Sequence, residues 1–115
     1  MLNNPIKNDP FAMVWTAFKR LYPDVECDIW FDMRCRLDIE EGFGFTEYPD
    51  DGNPQIVIFL DACPSVMEMV EILGHELAHV AVGSEKEHGE EWEAAFEAIF
   101  QEYHHIGNEM FDPKE

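Results

Sequence analysis

Three features of the 115-residue chain predict an α+β fold. Apolar residues recur at helical spacing near both ends, alternating and continuous apolar runs fill the middle, and turn-forming clusters separate these segments. Apolar side chains make up 46% of the residues, with nine Phe and three Trp, which is enough for one hydrophobic core at this length. The expected arrangement is an N-terminal helix, a small three-stranded and mostly antiparallel sheet, a helix carrying the candidate site, and a C-terminal helix, all in a single domain spanning 1–115.

After Pro10, the residues Phe11, Val14, Trp15, Phe18, Leu21 and Tyr22 form the stripe of an amphipathic helix that Pro23 stops. Val25, Cys27, Ile29, Phe31 and Met33 then alternate with Glu26, Asp28, Trp30 and Asp32, the period of a half-buried strand. A second strand is expected over Gly42–Tyr48. The cluster Pro49-Asp50-Asp51-Gly52-Asn53-Pro54 marks a turn, and the continuous apolar run Gln55–Leu60 reads as a third strand. Ser65 followed by Glu68 makes a capping box for a helix reaching about Val82, which Gly83 ends. Leu73, Leu77 and Val80 give that helix its apolar face. A last helix from about Glu90 to Tyr103 lines up Trp92, Phe96, Ile99, Phe100 and Tyr103.

The formal net charge is −18, and residues 61–115 hold 14 acidic against 2 basic side chains. Such a field repels phosphate backbones, so direct nucleic-acid binding is disfavoured and the charge is read as solubilising. Cys27, Cys35 and Cys63 are odd in number and form no Cys-x-x-Cys pair, which fits reduced, packed thiols. Met1–Pro10 lacks the basic start and apolar stretch of a signal peptide, and no apolar run is long enough to span a membrane. A cytoplasmic protein is expected.

Within the third helical segment stands His75-Glu76-Leu77-Ala78-His79. A spacing of four residues stacks both imidazoles on one helix face, about one turn apart, so that both can meet one zinc ion. Glu76, one residue past His75, projects beside that ion and can take a proton from a bound water. Catalytic zinc commonly takes three protein ligands and leaves a position for water. His88 is the best third ligand, because it follows a helix stop at Gly83-Ser84 and precedes Gly89, which permits close backbone approach. Glu90, Glu91, His104 and His105 are competing assignments. Tyr48, Tyr103, His104 and His105 are the residue types available to stabilise an oxyanion, and Asp112 in the tail is a possible inhibitory ligand.

The spacing does not match His-Glu-x-x-His-x-x-Gly-x-x-His, since the glycine comes one residue late and the histidine three late. His75-Glu-Leu-Ala-His79 followed by His88-Gly-Glu-Glu-Trp92, with Ile56–Asp61 upstream, resembles the SprT-like zinc metallopeptidases over roughly residues 10–103. That resemblance implies a minimal zincin in which His75, His79 and His88 bind zinc, Glu76 is the general base, and Trp92 packs behind the third ligand. It implies a protein or peptide substrate. The zinc ribbon of bacterial members has no counterpart here, and the loop between His79 and His88 is shorter than in Spartan-type proteins. The acidity motivates an alternative function, a non-catalytic, zinc-stabilised binding protein that engages a basic partner or mimics DNA.

Overall fold

The Asp9 carboxylate accepts hydrogen bonds from the backbone N–H groups of Phe11 and Ala12 at 3.0 and 3.4 Å, and Pro10 takes the first helical position with its φ already set. Helix α1 therefore runs Pro10–Leu21 in the computed structural model, which describes residues 5–62, 65–83 and 89–110. It buries Met13, Val14, Ala17 and Phe18. At its end Lys19 donates to the carbonyls of Pro23 and Val25 and pairs with Glu26, tying the helix to the chain that leads into the sheet.

Strand β1 (Asp28–Asp32) is followed by the short helix α2 (Arg34–Leu37), then β2 (Gly44–Glu47) and β3 (Gln55–Phe59). The α2 turn is too short for any periodicity to reveal. It is held by the Asp61 carboxylate, which accepts from the Arg34 and Cys35 N–H groups, and by Asp32, which takes the Arg36 guanidinium. Both carboxyls lie below the usual range. For Asp32 the chief cause is the Arg36 hydrogen bond, which brings it to about 2, and for Asp61 it is the Arg34 N–H.

The strand order is β1-β3-β2, with β1 parallel and β2 antiparallel to β3. The α+β class and the succession of helix, three-stranded sheet and two helices are as expected, while the sheet is evenly mixed. The reason lies in the connections. The Pro49–Pro54 turn folds β3 back against β2 as a hairpin, and β1 then takes the remaining edge of β3. A central strand has neighbours on both edges and cover on both faces, which accounts for the unbroken apolar run of β3. Gly44 lets β2 close on it, since a Cβ there would lie 2.5 Å from the Val57 carbonyl oxygen.

Helix α3 (Val66–Val82) starts at Ser65, whose hydroxyl accepts from the Glu68 N–H at 3.1 Å, and ends where the Gly83 N–H bonds the His79 carbonyl. Helix α4 spans Glu90–Met110, about two turns beyond the expected end, because Ile106 continues its apolar stripe onto Met13 and Ala17 of α1. The main core joins Val14 and Phe18 of α1, Ile56 and Ile58 of β3, Val70, Leu73 and Leu77 of α3, and Ala95 and Ile99 of α4. Where α3 crosses α4, a Cβ on Gly74 would collide with the Phe100 ring. No described helix is long and apolar enough to cross a membrane.

Replacing Gly74 with Ala adds helix propensity but forces Phe100 out of its place between Phe96 and Tyr103. The expected result is a net loss of about 1–3 kcal/mol in urea unfolding, as for other overpacked cores. Burial, then the charges of Asp28 and Glu26, push the Cys27 thiol up to about 11. The folded chain therefore holds this proton to higher pH than the unfolded chain, whose thiol has the ordinary value of 9.0. That contribution to stability is complete below 9.0 and is lost as pH rises through about 11. The urea midpoint should fall over that window, and fall less in Cys27→Ala. At pH 8 the exposed Cys35 should alkylate well before Cys27.

Candidate functional site

Helix α3 is apolar where it meets the sheet, α1 and α4, and it places His75, Glu76 and His79 at partly buried positions near its C-terminal end. The two imidazoles meet edge to face with ring centroids 4.9 Å apart, and their Nε2 atoms are 3.3 Å from each other. Two ligands of one tetrahedral zinc, each at about 2.0–2.1 Å from the ion, stand roughly 3.3–3.4 Å apart. The His75–His79 pair therefore fits two corners of such a coordination shell as it stands.

Trp92, in the first turn of α4, holds this pair from behind. Its ring lies 4.8 Å from His75 and 5.6 Å from His79, centroid to centroid, and stacks on Phe96 at 5.1 Å. Its indole N–H donates to the His75 carbonyl at 3.2 Å, which fixes the ring relative to the α3 backbone. An indole in this position limits the rotamers of both histidines and keeps bulk water from that side.

Glu76 points toward the sheet, where the Thr46 hydroxyl donates to its Oε1 at 2.6 Å. Sequence reasoning did not find Thr46. A single threonine in a short strand carries no motif, and the only available signal is its place on the inward face of β2. The phenol of Tyr48, two residues further on, is pushed above its ordinary value, by burial first and then by the negative charge of Glu76. Of the four residues of the right type to stabilise an oxyanion, Tyr48 is the one whose ionisation the Glu76 charge opposes. Tyr103 packs edge-on against Phe100 in the core.

The other expected ligands are placed as follows. His104 and His105 are exposed on α4, and His105 pairs with Glu109 at 3.1 Å. They follow Trp92 by 12 and 13 positions, so the helical rise carries them about 18 Å along the axis from the His75–His79 pair. Glu90 and Glu91 are exposed in the same first turn as Trp92, nearer the pair. His88, Cys63 and Asp112 lie outside the described residues. Among the described residues, no group of three or more His, Cys, Asp or Glu side chains is placed to hold a metal ion.

Comparison with protein-family models, with curated proteins and with solved structures finds no match to this chain.

The Thr46 hydroxyl should be energetically coupled to Glu76. Thr46→Val leaves a partly buried carboxylate without this donor and should cost about 1–3 kcal/mol in chemical denaturation. Thr46→Ser should retain most of the stability, and Thr46→Val should cost much less in a Glu76→Ala background, where no carboxylate is left to lose its donor; an equal cost in both backgrounds would refute the coupling.

Proposed function

We propose that this chain is a zinc-dependent peptidase of the SprT-like type, acting on protein or peptide substrates. The observation that carries the reading is the 3.3 Å separation of the His75 and His79 Nε2 atoms, with Glu76 one residue away and held toward β2 by Thr46. In this reading His75 and His79 ligate the metal and His88 completes the set, as the likeness of His88-Gly89 before Trp92 to that family suggests.

Zinc bound there supplies Lewis acidity at the scissile carbonyl and lowers the pKa of a water. Glu76 accepts the proton of the attacking water on its carboxylate and delivers it to the leaving amine. The Thr46 hydroxyl limits the rotation of that carboxylate, and the Tyr48 phenol, kept protonated, is available to donate to the developing oxyanion. Among the described residues β2 pairs only with β3, so its outer edge offers backbone N–H and C=O groups to an extended peptide that passes Glu76. Trp92, stacked on Phe96, lies against the histidine pair from α4. The free thiols Cys27 and Cys35 support a reducing, cytoplasmic setting.

Purified protein should contain about one zinc per chain by elemental analysis, and His75→Ala or His79→Ala should abolish that content. Glu76→Gln should keep the metal and lose cleavage of unfolded casein, and Tyr48→Phe should lower the rate by about 10²–10³. Zinc content untouched by His75→Ala would sink the metal assignment. Bound zinc with no hydrolysis of any peptide would instead favour the non-catalytic reading, for which the charge of −18 speaks.

A further inference from the structure

The sheet has a second face. In register across the three strands, Ile29, Ile56 and Thr46 face the helices, while the next row of Trp30, Val57 and Phe45 faces away from them. The core that α1, α3 and α4 build lies on the Ile56 and Ile58 side. On the outer face Trp30 is 57% exposed, and with Phe45, Val57 and Leu37 of α2 it lines a concavity of about 260 Å³ bounded by Asp32 and Glu47.

This groove is braced. The Trp30 indole N–H donates to Gln55 Oε1 at 2.7 Å, and the Gln55 amide donates in turn to Asp28 at 2.7 Å, so the largest wall of the groove is held at a set angle. The opposite wall is fixed by α2, through Asp61 at its start and the Asp32–Arg36 pair. Preset walls reduce the ordering cost of a ligand. The volume is below the roughly 300–1,000 Å³ of sites that enclose whole small molecules, and suits one or two side chains of a peptide.

Charge selects the occupant. Residues 26–51, which supply β1, α2 and β2, carry nine acidic residues against Arg34 and Arg36. Arg36 and Asp32 neutralise each other, as do Lys19 and Glu26, which leaves seven carboxylates against Arg34, itself bonded to the Glu40 carbonyl. A second copy would bring another −18, and a nucleic acid or an anionic lipid surface would be repelled in the same way. We propose that the outer sheet face docks a short segment of a partner protein that presents one or two large apolar side chains flanked by Lys or Arg. The groove is on the opposite side of the sheet from Glu76, so this docking does not depend on zinc or on peptidase activity.

The test uses the full chain and the peptide acetyl-Lys-Lys-Leu-Phe-Lys-Lys-amide, followed by calorimetry and by the fluorescence of the exposed Trp30. Saturable binding with a blue shift is expected. Trp30→Ala and Glu47→Lys, both checked for folding by circular dichroism, should each weaken it by about tenfold or more. Peptides with Gly-Gly in place of Leu-Phe, or Glu in place of Lys, should not bind. The proposal is overturned by an absence of binding at millimolar peptide, by equal affinity in folded Trp30→Ala, or by equal affinity of the Gly-Gly peptide. A dimer in solution that Trp30→Ala dissociates would also overturn it, because a second copy would then be the occupant.

Discussion

The aromatic row of α4 sets the position of nearly everything else. Trp92, Phe96, Phe100 and Tyr103 succeed one another with ring centroids 5.0–5.7 Å apart, and the row lies along α3. Gly74 lets Phe100 approach the α3 backbone, and from the next residue onward the same row places Trp92 against His75 and His79. Helix packing distance and imidazole orientation are thus fixed by one contact surface. Close-packed interiors transmit small displacements with little loss, so a shift at Phe100 is felt at the histidines.

The candidate site draws on three separate elements, each with its own constraint. Helix α3 supplies the histidines and Glu76, α4 supplies the ring behind them, and β2 supplies the hydroxyl that holds Glu76. Strand β2 contributes Thr46 by contact, and Tyr48 just past its end acts through the charge of Glu76 on its phenol. The carboxylate is consequently oriented from the sheet while the imidazoles are oriented from the helix pair. The relative placement of carboxylate and imidazoles therefore depends on how α3 seats against β2 and α4 together.

Much of this was legible in the sequence wherever a local pattern carries the information. The Ser65 cap, the Gly83 stop and the apolar stripes of α1 and α4 follow from spacing alone, and they placed α3 to within a residue. The His75–His79 pairing follows from helical pitch. The parallel docking of β1 on β3 was not legible, because strand direction depends on which edge remains free after the hairpin closes, which is a tertiary matter. Helix α2 escaped for a related reason, being held by Asp61 from across the fold. Thr46 escaped too, since its role depends on β2 lying beside α3, and no residue near it in the chain records that.

Strand β2 is only four residues long, yet its alternate side chains serve opposite sides of the sheet. Thr46 reaches inward to Glu76, and Phe45 and Glu47 turn outward to the groove. A slip of one residue would exchange the two sets and disable both faces together. Gly44 stands against this, since no other residue could take its place beside the Val57 carbonyl without a shift of backbone. An insertion in the connection before Gly44 would leave the pairing of β2 with β3 intact, whereas one inside the strand would exchange its inward and outward side chains.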